Sequence, residues 1–497
     1  MRLPYSISLS MLCLIINGCA VGPDYIKPKV IIPPAFKEAR GKNIITSSNW
    51  KIAHPRDDAN RGEWWKVFND PYLDKLEYQL ACYNQTIKNA DANYRQARAL
   101  VDEARSGFFP TLVGSFNLQR QKQGSGSTSF ITTTGGTIDS GTATTTNVST
   151  GNAINTTHSW LLNASWEPDI WGAVRRTVES DAAAAQASAA LVAVTRLSAQ
   201  ASLAQYYYEL RTLDTDQVLL NDTVRDYQKA LQFTRNQYQA GIVSRADIVQ
   251  AQAQLENTQA LALNNGIARA QYEHAIAILI GRPPADFNMP VMPLYRKPPP
   301  IPVSIPSAWL ERRPDIAQAE RTLQQMNAQI GVAVAAYYPT LNLTASANAA
   351  GKKIFAVPAL GWAYGPQLTD AILDGGLRSA TVRAAEAGYS ASISAYRQTV
   401  LTAFQDVEDN LAALRILKQQ ETAQRAAANS AKYALALVMN QYKAGTVPYS
   451  SVITAQITAY NSQKSAYDVV GLQMTAAVGL IKALGGGWNV HDIDRAG

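Results

Sequence analysis

The chain contains one long pattern twice, 204 residues apart. The hexapeptide NQYQAG at 236–241 returns as NQYKAG at 440–445. A slightly larger offset places the segment FPTL at 109–112 on YPTL at 338–341. Self-similarity over this length indicates a duplicated architecture.

Each copy contains a very long helical segment. Neither Gly nor Pro occurs from Ala173 to Ala240, which are 68 residues, and one helix of that size would be about 100 Å long. Apolar residues recur there at spacings of three and four, a pattern typical of a seam that packs against another helix. Nine prolines at 283–306 exclude a regular helix and predict a linker between the copies.

Two tight turns are predicted in the helical segments. Gly241 follows the first long helix as a C-terminal glycine, and the capping-box pattern SRAD at 244–247 begins a second helix. We therefore predict a helical hairpin over about 173–280. The second copy predicts another hairpin over about 377–484, with Gly445 at its turn.

Four segments alternate between apolar and polar residues, as half-buried strands do. They lie at about 111–120, 158–167, 340–350 and 359–368. Each is about the 9–11 residues that a tilted strand needs to cross a bilayer, although a soluble sandwich has the same period. Four strands cannot close a barrel in lipid without unpaired edges. A membrane barrel therefore requires several protomers, so the protein would be an obligate oligomer.

The first 18 residues have the pattern of an export signal. Arg2 precedes an apolar run at 7–16 that is too short to span a bilayer. The sequence INGC at 16–19 resembles the bacterial lipoprotein signal. That resemblance implies a mature chain that begins at Cys19 with N-palmitoyl and S-diacylglycerol groups, and Ala20 after it favours the outer membrane. The alternative is an ordinary signal peptide that happens to contain a cysteine. A polar, proline-containing tail is predicted over 19–63.

Composition excludes several classes of protein. The net charge is only +7 and the basic residues are scattered, whereas nucleic-acid binding needs a concentrated basic face. After the signal we find no apolar run long enough for a transmembrane helix. Cys82, the remaining cysteine, is expected to be a buried helical residue, and His158 to lie at the surface or in a loop. No catalytic set, metal-ligand spacing or phosphate loop is present, so we predict that the chain is not an enzyme.

Several short motifs, taken together in their order and spacing, resemble one family. They are GPDY at 22–25, WW at 64–65, DP at 70–71, FPTL at 109–112, DIWG at 169–172 with Arg175, ERRPDI at 311–316, LDGGLR at 373–378 and LGGGW at 484–488. The chain resembles the TolC-like outer-membrane factors of tripartite efflux systems, in particular the lipidated, RND-associated (NodT/OprM-like) branch. One repeat is predicted to cover 64–282 and the other 307–488, and a short tail follows at 489–497.

The resemblance implies the fold, an α+β membrane protein. Three protomers each contribute four strands to one β-barrel, which a long α-helical barrel continues across the periplasm. It also implies the function, a passive outer-membrane exit duct for small molecules. The implied partners are a homotrimer, a periplasmic adaptor, an inner-membrane RND pump and outer-membrane lipid, with no nucleic acid and no cofactor besides the lipid at Cys19. Two alternatives stay open: the channel of a type I protein-secretion system, which shares the fold, and a lipid-anchored periplasmic coiled-coil scaffold.

The resemblance further implies a gate at the hairpin tips. Tyr442 falls on the family's gate tyrosine, and Asp247 on the acidic residue of the opposite hairpin that this tyrosine can contact, with Arg245 beside it. The alternative is that Asp247 interacts only with the helix dipole and that Tyr442 is a seam residue. The second tip, TVPYSSV at 446–452, lacks the Arg and paired Asp of some relatives. The sequence therefore does not support an aspartate ring at the gate, nor the cation selectivity that such a ring would give.

Overall fold

The computed structural model describes residues 20–30, 36–38, 63–122, 128–130, 146–148, 154–294, 297–299, 313–351 and 359–486. The predicted signal, Cys19, most of the N-terminal tail, much of the linker and the C-terminal tail lie outside these residues. The chain divides into two compact units. The first contains 101–179, 328–386 and the N-terminal residues up to 24; the second contains 25–100, 180–327 and 387–497. Both units draw on both sequence repeats, so the repeats are not separate domains.

Seven helices and six strands are present in the described residues. The helices are α1 (Pro71–Tyr83), α2 (Gln85–Ser106), α3 (Ala173–Gln239), α4 (Arg245–Leu279), α5 (Pro314–Ala335), α6 (Leu377–Lys443) and α7 (Tyr449–Ala483). The strands are β1 (Thr111–Lys122), β2 (Thr128–Phe130), β3 (Thr146–Val148), β4 (Ile154–Trp166), β5 (Thr340–Gly351) and β6 (Ala359–Thr369). Short 3-10 helices lie at Trp64–Phe68 and Pro284–Asp286.

The duplication extends to the lengths of the helices. Helices α3 and α6 both contain 67 residues, and α4 and α7 both contain 35. The turn between α3 and α4 has Gly241 at φ +74°, and the turn between α6 and α7 has Gly445 at the same angle. A residue with a Cβ is strained in this left-handed conformation, which explains glycine at both turns. The predicted hairpins are therefore both present.

The first unit contains an antiparallel sheet of four strands in the order β1-β4-β5-β6. The β1–β4 pairing runs from Thr111 opposite Ser165 to Lys122 opposite Ile154. Strand β4 therefore begins four residues before the predicted 158. The segment at 124–157, which is rich in Ser, Thr and Gly, contains the short antiparallel pair β2–β3 among its described residues.

The second unit has a core that the N-terminal helices help to form. Leu73, Leu76 and Leu80 on α1 are buried in one apolar cluster. The cluster also contains Trp64 of the 3-10 helix and Tyr207 and Tyr208 of α3. Asp70 caps α1 by accepting from the backbone of Leu73 at 3.3 Å, and it also accepts from the Tyr207 hydroxyl at 2.9 Å. These contacts attach the short N-terminal helices to the long helix α3.

Two expectations about single elements were wrong. Cys82 lies on α1, as predicted, but it is exposed, because α1 buries the opposite side that carries Leu76 and Leu80. We also predicted that no apolar run after the signal is long enough for a transmembrane helix. Helix α3, however, contains a stretch that is long and apolar enough to cross a membrane by length and composition. Only 22% of that stretch is buried inside the protein. Length and composition alone do not distinguish such a helix from a membrane span.

Candidate functional site: the strand sheet and the hairpin tips

One face of the sheet is apolar across all four strands. The register places Phe116 opposite Trp160, and Trp160 opposite Ala349. Ala349 in turn lies opposite Leu360. Most large side chains on this face are exposed, including Leu112, Leu118, Leu162, Trp362, Tyr364 and Leu368. A contiguous apolar surface of this kind is not stable against water, so this face requires an apolar neighbour.

The other face of the sheet is mainly polar. Asn163 lies opposite Ser346 on this face, and Ser165 opposite Thr344. The Ser165 hydroxyl donates to Asn342 Oδ1 at 3.0 Å. Leu161 interrupts the polar pattern of β4, but the alternation holds along most of each strand. The sheet thus has one face suited to an apolar phase and one suited to water, as the strands of a membrane barrel do.

The sheet has two open edges. In the order β1-β4-β5-β6, β1 and β6 each have one strand neighbour among the described residues. The second row of backbone donors and acceptors on each of these strands needs a partner if the sheet lies in lipid. The four strands that the structure describes in this sheet therefore do not close into a barrel, and their edges are suited to pairing between protomers.

The residues that follow Cys19 are held against the first unit. The Val21 backbone donates to the Trp171 carbonyl at 3.2 Å, shortly after the end of β4. Arg176, whose side chain is buried, donates to the carbonyl of Val21 at 3.1 Å and to Asp24 Oδ1 at 2.9 Å. Gly22 has a φ of +95°, and a Cβ there would lie 2.5 Å from the Cα of Gly331. Glycine is thus required for the chain to approach so closely.

The motifs DIWG at 169–172 and LDGGLR at 373–378, which in the sequence indicated only the family, have a structural role. Asp169 accepts from the backbone of Arg175 at 2.9 Å and from its Nε at 3.0 Å, at the start of α3. In the second repeat, Asp374 accepts from the backbone of Gly376 at 2.9 Å and of Arg378 at 3.2 Å, at the start of α6. The hydrogen bond from the Gly376 backbone, and to a smaller extent that from Arg378, lowers the pKa of the Asp374 carboxyl. Each aspartate therefore caps a 67-residue helix where the chain leaves the sheet.

The two hairpins meet near their tips in one apolar cluster, which we call the tip cluster. Its buried members are Tyr227, Leu231, Ala251, Leu255, Tyr442, Tyr449 and Val452. The rings of Tyr442 and Tyr449 have centroids 5.2 Å apart, and Phe233 packs on Tyr442 at 6.2 Å. Since its members come from α3, α4, α6 and α7, the tip cluster holds the two hairpins of one protomer together.

Within one protomer, Tyr442 contacts Thr234 of the first hairpin. It is only 4% exposed, and its hydroxyl lies 3.4 Å from Thr234 Oγ1. Burial raises the pKa of Tyr442, and the charge of Asp247 adds to this effect, whereas the hydrogen bond with Thr234 opposes it. Burial also raises the pKa of Tyr449 to about 12. The sequence did not single out Phe233 or Thr234, nor did it predict that Tyr449 of the second tip packs on Tyr442, because it does not show which hairpin helices meet.

Asp247 forms the predicted capping box. Its Oδ2 accepts from the backbone of Ser244 at 2.9 Å, and its own backbone donates to Ser244 Oγ at 3.4 Å. Arg245 is exposed on the first turn of α4, and the second tip lacks this arrangement, since Pro448 at the start of α7 has no side-chain cap. The gate roles of Asp247, Tyr442 and Arg245 stay predictions.

Within the described ranges, no group of three or more His, Cys, Asp and Glu residues is placed to hold a metal ion. His158 was expected at the surface or in a loop, but it lies buried in β4, with its ring parallel to that of Phe116. The predicted strand began at 158, and the sequence indicated neither its extension to Ile154 nor the contact with Phe116 that covers His158. His274 is exposed on α4.

A sheet with one apolar face and two open edges, in a chain with two long helical hairpins, defines a channel-forming protein of the outer membrane. The family model described as "Outer membrane efflux protein" matches residues 76–282 and 305–486. The chain therefore belongs to the outer membrane efflux protein family.

Several relatives are similar over almost the whole chain. The toluene efflux pump outer membrane protein TtgC of Pseudomonas putida is 28% identical over 490 residues, which are 97% of this chain and 95% of that protein. The cation efflux system protein CusC of Escherichia coli is 26% identical over 493 residues, 98% of this chain and 99% of that protein.

Solved structures have the same fold. The open-state MtrE outer-membrane channel of Neisseria gonorrhoeae matches with a TM-score of 0.75 and 27% identity, over 94% of this chain and 98% of that chain. The CmeC channel of Campylobacter jejuni matches with a TM-score of 0.80 and 23% identity, over 95% and 96%.

The predicted class of protein is thus confirmed. The chain is a passive exit channel of the outer membrane with a helical extension into the periplasm, and it is not an enzyme. Channels of this family are trimeric and work with an adaptor and an inner-membrane pump.

Proposed function

We propose that this chain is the lipidated, homotrimeric exit duct of an RND-driven efflux system that exports small molecules. The observation that carries the proposal is the sheet, whose apolar face and two open edges fit a barrel shared between copies. Twelve strands, four from each of three copies, would place the polar face around an aqueous interior.

Trp171, Gly172, Arg176 and Gly331 form a cradle around residues 20–24. This cradle supports lipidation at Cys19. Ala20 lies against Gly172, where a Cβ would come within 2.8 Å of the Ala20 Cα. Gly172 precedes α3 and follows β4 by only a few residues. The cradle therefore holds the chain immediately after Cys19 beside the end of a strand, where an acyl chain on that cysteine would reach the same bilayer as the apolar face.

The nature of the cargo is supported by the chain's relatives. The names of two relatives refer to the efflux of toluene and of cations, which favours small molecules over secreted proteins. The polar strand face contains amide and hydroxyl groups that suit water and solutes of many kinds. We propose that the RND pump, and not this duct, selects the cargo.

The test of this function is the conductance of the purified, detergent-extracted protein in a planar bilayer. We expect an SDS-resistant trimer that dissociates on heating and that forms ion-conducting pores. A control sample that has been heat-dissociated before reconstitution should not conduct. A monomer that becomes soluble once its lipid is removed would contradict the proposal and support a lipid-anchored scaffold.

Lipidation predicts a specific mass and a specific loss. The mature protein should begin at Cys19 and carry three acyl chains, and cells fed labelled palmitate should label it. Cys19→Ser should abolish the label, whereas Cys82→Ser should retain it, because Cys82 lies on α1 of the mature chain. An N-terminus at another residue, with an unmodified Cys19 thiol detected by mass spectrometry, would disprove acylation.

A further inference from the structure

The turn after β6 presents two apolar side chains to solvent. Ile372 is 99% exposed and Leu373 is 92% exposed, the highest values among the large hydrophobic residues that the structure describes. They lie between the end of β6 and the start of α6. Isolated exposed apolar residues are common on proteins, but an adjacent pair at an open sheet edge indicates a missing neighbour.

The turn that carries this pair is braced on both sides. Asp370 accepts from Arg378 Nη2 at 2.6 Å, and Arg378 Nη1 donates to the Tyr337 carbonyl at 3.4 Å. On the other side of the pair, Asp374 accepts from the Gly376 backbone. The two side chains are therefore held outward by a hydrogen-bonded frame.

The first repeat shows what such a turn contacts. The turn after β4 contains Trp171, whose ring stacks on Tyr338 with centroids 4.6 Å apart and planes at 19°. Its Nε1 donates to the Pro339 carbonyl at 2.9 Å. Tyr338 and Pro339 immediately precede β5, the strand that pairs with β4. The turn after a strand thus covers the aromatic-proline pair that precedes the neighbouring strand.

In the second repeat, the turn after β6 cannot cover the matching aromatic-proline pair of its own protomer. Phe109 and Pro110 are the counterparts of Tyr338 and Pro339 in the repeated FPTL and YPTL segments, and they precede β1. Phe109 is 69% exposed, whereas the covered Tyr338 is 38% exposed. Strand β6, whose following turn would have to cover Phe109, lies at the other edge of the sheet from β1.

We infer that Ile372 and Leu373 of one protomer cover Phe109 and Pro110 of the next, in the same way that Trp171 covers Tyr338 within a protomer. The inference rests on the shared barrel proposed above. In that barrel β6 of one copy adjoins β1 of the next, and the alternating directions of the four strands make this pair antiparallel. The end of β6 and the beginning of β1 then lie at the same end of the barrel.

The internal repeat also supplies a register for the pairing between β6 of one protomer and β1 of the next. Trp166, the last residue of β4, lies opposite Leu343, and Leu343 aligns with Gly114 in the repeat. Leu368, the last apolar residue of β6, should therefore lie opposite Gly114 of the next copy. This places Gln367 opposite Ser115 on the polar face, and Leu373 at the level of Phe109.

Cysteine cross-linking in the outer membrane tests both the β6–β1 pairing between protomers and the inferred contact beside it. In a Cys82→Ser background, Phe109→Cys combined with Leu373→Cys should form covalent dimers and trimers on oxidation. Gln367→Cys with Ser115→Cys tests the strand pairing by itself. A matched negative control is Phe109→Cys with Ile154→Cys, because Ile154 is exposed but lies opposite Lys122, at the other end of the sheet.

The outcomes separate the two proposals. A cross-linked strand pair without a link between 109 and 373 would overturn the inferred contact and leave the shared barrel intact. The absence of both links, together with a monomeric protein, would overturn the proposed function itself. Rapid labelling of a single Leu373→Cys by a water-soluble maleimide in the assembled trimer would also contradict the contact. Labelling by a membrane-dissolved maleimide alone would show that lipid covers this turn.

Trimer stability provides a second readout. Leu373→Ser and Phe109→Ser should each lower the temperature at which the trimer dissociates in SDS. The double variant should dissociate at about the temperature of the worse single variant, since residues in contact are not additive. Ile154→Ser should leave that temperature unchanged. Fully additive shifts for the 109 and 373 variants would contradict contact between them.

Discussion

A Leu162→Arg substitution is expected to destabilise the assembled barrel by about 2–4 kcal/mol per protomer, the cost of an arginine on a lipid-facing strand at mid-depth. Leu162 lies on the apolar face, opposite Gly114 on β1 and Ala347 on β5. Because every protomer of a trimer carries the change, the assembled protein should be nearly absent from the outer membrane.

The neighbouring residue is a matched control for this prediction. Asn163 follows Leu162 in β4 but points to the polar face, opposite Val113 and Ser346. Asn163→Arg adds the same charge at the same depth, on the face that would contact water, so the trimer should persist. The measurement is the amount of heat-dissociable trimer in outer-membrane fractions. Equal loss for both variants would indicate a sheet with two buried faces, as in a soluble sandwich.

Tyr449→Ala is expected to release the hairpin tips and to increase the single-channel conductance of the reconstituted protein. Tyr449 is only 2% exposed and packs on Tyr442 in the tip cluster. Truncating a buried aromatic residue to alanine typically costs about 3–5 kcal/mol. Much of that loss would fall on the contact between the two hairpins, because the cluster joins α3 and α4 to α6 and α7.

Smaller changes at the tips should have graded effects. Tyr442→Phe keeps the ring and loses a hydrogen bond to Thr234, a change worth about 1 kcal/mol, so a modest rise in conductance is expected. Asp247→Ala removes the capping box at Ser244 and the negative charge near Tyr442. Tyr433→Ala and Tyr433→Phe are the controls, since Tyr433 is exposed on α6. If Tyr449→Ala conducts no more than Tyr433→Ala, the tip cluster does not restrain the channel.

The hairpins were predictable from local sequence. A glycine-free and proline-free run of 68 residues with a regular apolar seam allows few structures except a long helix. Gly241 and Gly445 marked the turns, because only glycine is readily accommodated in the left-handed conformation that closes such a helix. The capping box at Ser244 and Asp247 was also predictable from local sequence, since its two partners are three residues apart.

The strands were predictable as elements but not in their full extent. The period of two along β1 and β5 was clear, whereas β4 extends to Ile154, within a segment rich in Ser, Thr and Gly. The exposure of Cys82 could not be predicted because it depends on which side of α1 meets α3. Sequence motifs such as DIWG at 169–172 indicated the family, but not that Asp169 caps α3.

The sequence by itself determined the duplication, the long hairpins, the alternating strands and the family, because each depends on residues that are close in the chain or on motifs in a constant order. The tertiary structure decided which elements meet. It showed that Tyr442 contacts Tyr449 and Thr234, and that Arg176 binds the residues after Cys19. It also placed β1 and β6 at opposite edges of the sheet. Such contacts join residues up to hundreds of positions apart, and the packing of whole helices and strands selects them, which no local pattern records.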